Sequence, residues 1–225
     1  MLSHGKEDYI KAIAEALDET EYASLKRIAG YMNVSSAAVS DMANKLAKEG
    51  LVSITPYKGI QLTESGREYY SKLSDKHRLW EVFLVNYLGY SLREAHEDAH
   101  ILEHFSPKRL MERLNAFMEM PEYCPHGHDI EVNKGFEEDL VLLTLNELNV
   151  GETAQLVSFK EEGAFLDHIE KKQLKPGLKV NIKEKEAFGG SVVLRIDEQD
   201  VSIGMQAAEM IKVKRIKENY EHKKL

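Results

Sequence analysis

The chain is poor in the devices that crosslink, anchor or export a protein. One cysteine, Cys124, among 225 residues excludes an internal disulfide framework and suits a reducing compartment. No apolar run approaches the ~20 residues that cross a bilayer, so no membrane partner is expected. The opening segment, residues 1–8, has no apolar core of the kind that directs secretion, and a cytoplasmic location is expected. Positive charge is not in excess either. A net charge of −8 argues against a protein coated in nucleic acid, while a local basic face stays open. Internal repeats and low-complexity segments are absent. What is there, 43% hydrophobic and 30% charged residues, suffices for one large domain or about two to three small ones with proper cores.

Tyr9, Ile10, Ile13, Ala14 and Leu17 recur at helical spacing and predict an amphipathic helix over 6–18. A short helix is expected over 24–32 and a third after it, capped by Ser35 or Ser36, with Val39, Met42 and Leu46 on its buried face. Gly50 ends that helix, and 51–55 and 60–63 read as strands around the turn Pro56-Tyr57-Lys58-Gly59. Helix, helix, turn, helix and hairpin is the order of a winged helix-turn-helix. A long helical segment from Thr63 to about Tyr87 carries Tyr69, Leu73, Trp80, Phe83, Leu84 and Tyr87. That is more apolar surface than one small domain needs, and it predicts packing on a second copy. A His-rich helix follows, then a helix from Pro107 to Met118, and Glu122 to Gly135 is a loop.

Beyond Leu140 short β-like runs appear at 154–159, 179–183, 191–196 and 201–203, punctuated by Gly151, Pro176-Gly177 and Gly189-Gly190, with a short helix over 164–172. This texture predicts a small SH3-like barrel with one helical insertion. Residues 214–225 are charged and expected to fray. The fold class is therefore mainly α with a small β domain: a winged helix-turn-helix over 1–73, a helical metal-binding and dimerisation domain over 74–142, an SH3-like domain over 150–217 and a charged tail over 218–225.

The most informative stretch runs from Glu94 to His104. His96, His100 and His104 recur every four residues, and on a helix they form one imidazole stripe, with Glu103 three residues after His100. Two or three nitrogens and a carboxylate oxygen on one rigid rod make a half-shell for a divalent first-row metal. In a helix-turn-helix the N-terminal end of the third helix meets base edges. Here it carries Ser35, Ser36, Ala37, Ala38, Ser40 and Asp41. They are small and bring no bidentate arginine, glutamine or asparagine, so DNA shape must supply much of the specificity. Lys26, Arg27, Lys45, Lys48, Tyr57 and Lys58 are the candidates for phosphate. Between Tyr22 and Ile60 the charge is +3, with Asp41 and Glu49 the acids. So small an excess favours a homodimer on a palindromic double-stranded operator.

The chain resembles the diphtheria-toxin-repressor family of metal-dependent transcription regulators over nearly its whole length. The resemblance is carried by Lys6-Glu7-Asp8-Tyr9, Val34-Ser35-Ser36-Ala37-Ala38-Val39-Ser40, Lys76-His77-Arg78-Leu79-Trp80-Glu81-Val82-Phe83-Leu84, the His96 to His104 segment, and Cys124-Pro125-His126-Gly127. Within the family it is most similar to the manganese-sensing branch with a C-terminal SH3-like (FeoA-type) domain. The resemblance implies a metal-activated repressor of divalent-metal homeostasis genes, with two metal sites per subunit and no small-molecule substrate. One site would join the N-terminal helix to the His-rich helix through Asp8, His100, Glu103 and His104. The other would use His77 and Glu81, Cys124 and His126, and a third-domain carboxylate, Glu161 or Glu162. His96 is expected as an outer ligand or a support for one, and His128 as a solvated residue.

Manganese or iron is the implied cation. Position 100, however, is a glutamate in the manganese branch and a cysteine in the iron branch. The neutral nitrogen of His100 shifts preference away from manganese, toward iron, zinc, cobalt or nickel. Lys11 stands where two-domain manganese regulators place a glutamate ligand, so their binuclear arrangement does not carry over. Two other functions fit parts of the chain. A metal hydrolase would need a base such as the glutamate of His-Glu-x-x-His, whereas Ile101 follows His100. A metal-storage protein leaves the winged helix without purpose.

Overall fold

The computed structural model describes residues 2–17, 20–134 and 142–216, and the chain forms two compact units, residues 1–77 with 101–107 and residues 78–100 with 108–225. In the first, α1 (His4–Leu17), α2 (Leu25–Met32) and α3 (Ser36–Lys48) precede a hairpin of β1 (Val52–Thr55) and β2 (Gly59–Leu62). Serine hydroxyls cap two of the helices: Ser24 accepts from the Arg27 amide and Ser35 from the Ala38 amide, both at 3.2 Å. Asn33 ends α2 in the left-handed region at φ 50° and turns the chain toward α3. The hairpin pairs Val52 with Leu62 and Thr55 with Gly59. Gly59 stands at φ 140°, and a methyl group there would fall 2.5 Å from the Ala23 carbonyl oxygen, so only glycine lets the wing lie this close to the segment before α2. Ile10, Ile13, Ile28, Val39, Leu46 and Ile60 are fully buried in the common core. Each contributes roughly 1.5–3 kcal/mol of transfer free energy. This is the winged helix-turn-helix expected from the sequence, and the start of α4 (Glu64–Leu88) belongs to it.

The second unit holds the rest of α4, most of α5 (Leu92–Phe105), α6 (Lys108–Phe117) and an antiparallel sheet. Leu79, Val82, Met111, Leu114, Met118, Cys124 and Ile130 form a small helical core. The sheet has six strands, β3 (Leu143–Thr144), β4 (Thr153–Phe159), β5 (Lys179–Lys185), β6 (Ser191–Ile196), β7 (Gln199–Gly204) and β8 (Ile211–Ile216), in the order β3-β8-β4-β5-β6-β7. Alternate residues such as Ala154, Leu156, Val180, Ile182, Val192 and Leu194 point into its core. Register shifts between Leu156 and Ser158, and between Ile182 and Glu184, bend the strands around that core. The short helix α7 (Gly163–Lys171) follows β4.

Three details differ from expectation. The sheet begins at Leu143, ahead of position 150, because β3 pairs with β8 through Leu143 and Val213. A second helical insertion, α8 (Met205–Glu209), is a single turn around the buried Ala208, too short to show periodicity. Lys214, Arg215 and Ile216, expected to fray, are the last residues of β8 and pair with Gln155, Ala154 and Thr153. The remainder of the charged tail, 217–225, lies outside the described residues. Among the described residues no helix is long and apolar enough to cross a membrane.

Candidate functional site

In the second unit a buried cluster gathers on the helical core and the end of β4. Glu81 on α4 and His126 in the 122–134 loop are fully buried, and His126 Nδ1 lies 3.1 Å from Glu81 Oε2. Cys124 Sγ lies 3.9 Å from the same Nδ1. Glu161, just beyond β4, approaches to 3.9 Å. One ligand atom from each of Glu81, Cys124, His126 and Glu161 lies within 4.8 Å of the others. His96 joins from α5, its Nδ1 3.2 Å from Glu81 and 3.6 Å from Glu161.

The loop is seated on β4 by backbone contacts. The Phe159 amide donates to the His126 carbonyl at 2.9 Å, and Gly127 at φ 87° lies so close that a methyl group would stand 1.9 Å from the Val157 carbonyl oxygen. His128, expected to be solvated, is half-buried: its Nε2 is 2.9 Å from the Phe159 carbonyl oxygen and 3.5 Å from Glu161. Glu162 is not brought to the cluster. It is exposed at the start of α7 and pairs with Lys160 at 2.7 Å. Burial pushes the Cys124 thiol well above its ordinary range, and the Glu81 and Glu161 carboxylates add to the shift. A bound cation acts in the opposite sense, displacing the thiol proton and offsetting two carboxylates that are costly to bury. Thiolate, imidazole and carboxylate donors at these separations suit a divalent transition metal.

In the first unit a second group of acids and imidazoles surrounds the end of α5. Glu103 is fully buried, with Lys11 Nζ at 2.8 and 2.9 Å from its two oxygens and His77 Nδ1 at 2.7 Å. The sequence assigned His77 to the other site. In the structure its Nδ1 lies 2.7 Å from Glu103 Oε2. His104 lies with Nε2 3.0 Å from Asp8 and 3.6 Å from Glu103, and Nδ1 2.6 Å from Glu7. The imidazole stripe is thus divided, with His96 in one cluster, His104 in the other and His100 exposed on α5 between them in sequence. Asp8, Glu103 and His104 offer oxygen and nitrogen donors that suit a divalent cation. Glu7 was not singled out, although its spacing of three from Ile10 and seven from Ala14 puts it on the apolar stripe of α1.

Residues 1–60 match the family described as iron dependent repressor, N-terminal DNA binding domain. Residues 63–131 match its metal binding and dimerisation domain, and 143–215 match the FeoA domain. A structure of a manganese-dependent transcriptional repressor in complex with manganese is 30% identical, covers 93% of this chain and 99% of its own, and superposes with a TM-score of 0.82. The chain belongs to the iron-dependent repressor family. A structure of ScaR with bound Zn²⁺ is 34% identical over 94% of this repressor and 99% of that chain, with a TM-score of 0.79. The iron-dependent repressor IdeR of Mycobacterium tuberculosis is 25% identical over 93% of this chain and 96% of its own. These relatives are regulators, not enzymes, which removes the hydrolase reading.

On the DNA-binding domain of the repressor, Ser35, Ser36, Ala37 and Asp41 are exposed at the start of α3, while Ala38 and Ser40 are half-buried. Lys26, Lys45, Lys48 and Lys58 are exposed. Arg27 lies over the Tyr31 ring at 5.9 Å and Lys58 over the Tyr22 ring at 5.2 Å, which directs both cations along the surface. Tyr57 stands wholly exposed at the wing tip with φ 63°. An open groove of about 360 Å³ runs between Ser40, Ala43 and Asn44 of α3 and Thr55 to Lys58 of the wing.

Proposed function

We propose that this repressor is a homodimer that binds a palindromic operator when divalent metal is bound. One cation is held by Asp8, His100, Glu103 and His104. The other is held by Glu81, Cys124, His126 and Glu161, with His96 beside them. The observation that carries this reading is the buried thiol, imidazole and carboxylate set with ligand atoms within 4.8 Å, on a chain whose first domain is a winged helix. A cation held jointly by the reading domain and the dimerisation domain fixes the spacing of two reading heads. Metal then raises operator affinity by the same factor by which operator raises metal affinity, typically about 1–3 kcal/mol, or ~5–150-fold.

Manganese, iron and zinc, named for its relatives, are the candidate cations, with cobalt and nickel admitted by the nitrogen donor at 100. An aromatic ledge supports the homodimer. Phe83 stacks on Tyr87 with centroids 5.6 Å apart, Tyr87 meets Phe117 at 5.3 Å, and Tyr87, Leu88, Leu110, Phe117 and Met120 are exposed. Fluorescence anisotropy on operator DNA selected from a random pool, titrated with Mn²⁺, Fe²⁺, Zn²⁺ and Co²⁺, tests the proposal. Affinity is expected to rise with metal, and a metal-independent affinity overturns it.

A further inference from the structure

Glu7 is a buried acid that the ligand sets above do not use. Only 3% of it is exposed, in a helix whose neighbouring Asp8 is half-exposed. Successive residues on a helix point about 100° apart, so Glu7 turns inward on the side of Ile10, three residues on, while Asp8 faces His104. Among the described residues, the Glu7 carboxylate accepts a hydrogen bond from the Tyr69 hydroxyl of α4 and lies 2.6 Å from Nδ1 of His104. Burial and the bond to Glu7 push Tyr69 up to about 12, so the phenol stays neutral and donates. A carboxylate has only lone pairs to offer, so the hydrogen toward His104 belongs to Nδ1.

We propose that Glu7 is a positioning residue for the first metal site: by accepting from Nδ1 it fixes the His104 ring and points Nε2 at the space between Asp8 and Glu103, where a cation takes the place of any hydrogen on Nε2. Nε2 lies 3.0 Å from Asp8 and 3.6 Å from Glu103, on the opposite edge of the ring from Glu7. Metal-bound histidines commonly donate their other ring nitrogen to a carboxylate, and loss of such a partner costs 10–100-fold in metal affinity. Tyr69 in turn fixes Glu7, so the ring is set through a chain from α4 to α1 to α5. The inference rests on the assignment of Asp8, Glu103 and His104 as ligands.

The test uses the full chain with E7L, E7Q and, as a ligand control, D8A. Long-range ¹H–¹⁵N correlation spectra of the metal-free protein at alkaline pH read the His104 tautomer, and Mn²⁺ titration followed by electron paramagnetic resonance reads affinity. For the neutral ring Nδ1–H, the less common form of free histidine, is expected in the native chain, because buried Glu7 at 2.6 Å from Nδ1 lies nearer than Asp8 at 3.0 Å from Nε2. E7L is expected to lose it and to weaken first-site binding by about 10–100-fold. E7Q, which keeps an acceptor oxygen but no charge, is expected to retain the tautomer largely and lose about tenfold or less. If E7L does not fold, Y69F replaces it, with a partial loss of Nδ1–H expected. An unchanged tautomer and affinity in folded E7L, or in both E7Q and Y69F, overturns the inference. If D8A also leaves affinity unchanged, the ligand assignment itself is wrong; if D8A abolishes binding while the Glu7 variants do not weaken it, only the role of Glu7 fails.

Discussion

Replacing Gly127 with alanine tests whether the ligand loop is held by its seat on β4. Two costs are separable. Alanine at φ 87° is strained by about 1–2 kcal/mol, because the methyl group crowds the following carbonyl. The same methyl would stand 1.9 Å from the Val157 carbonyl oxygen and 3.0 Å from Cγ of Pro176, an overpacking worth about 1–3 kcal/mol. Gly151 supplies the control, since it has the same φ of 87° and nothing within 4 Å of its added methyl. G151A should therefore cost only the strain, about 1–2 kcal/mol, and G127A about 2–5 kcal/mol in all. If the loop shifts instead of the whole unit unfolding, the excess appears in metal affinity. An excess of about 1–3 kcal/mol is roughly 5–150-fold. Urea unfolding of the chelator-treated protein reads the first quantity. Co²⁺ titration, followed by the charge-transfer absorption of a thiolate-bound cobalt, reads the second at Cys124. A G127A protein that matches G151A in both would refute the close-approach argument.

Further outcomes follow from the same geometry. Ser35→Ala removes the cap of the reading helix and should lower stability by about 1 kcal/mol, seen as a lower melting temperature of the DNA-free protein. Lys45→Ala or Lys58→Ala should weaken operator binding at all sequences and reduce the slope of log K against log salt by about 1 if each touches a phosphate. Phe117→Glu places a charge on the exposed aromatic ledge and should shift the protein toward monomer in sedimentation velocity; an unchanged dimer would remove that ledge from the interface. Tyr69 has a folded-state pKa raised to about 12 against an ordinary value of 10, so the folded state holds its proton more tightly. Its contribution is whole below about pH 10 and declines as pH rises through 12, and the alkaline arm of the stability curve should flatten in Y69F.

Local pattern was enough for the winged helix, the long α4, the His-rich helix and most strands of the β domain, because each depends on periodicity, a cap or a turn residue within a few positions. Even the candidate ligand types were legible, since His96, His100, Glu103, His104, Cys124 and His126 stand in short motifs. Partnership was not. Four-residue spacing puts three imidazoles on one face of α5, yet it does not say which neighbour each meets, and the structure sends His96 to Glu81 and His104 to Glu7 and Asp8. Only the tertiary structure decided that His77 and Lys11 both hold Glu103, that Glu161 and not Glu162 faces the cluster, and that His128 is tied to Phe159. Those contacts join residues as far as 97 positions apart, so they depend on how elements pack. A residue's own sequence neighbourhood fixes its helix, strand or turn, but the partner of a buried charge is chosen by whichever distant element fills the space beside it.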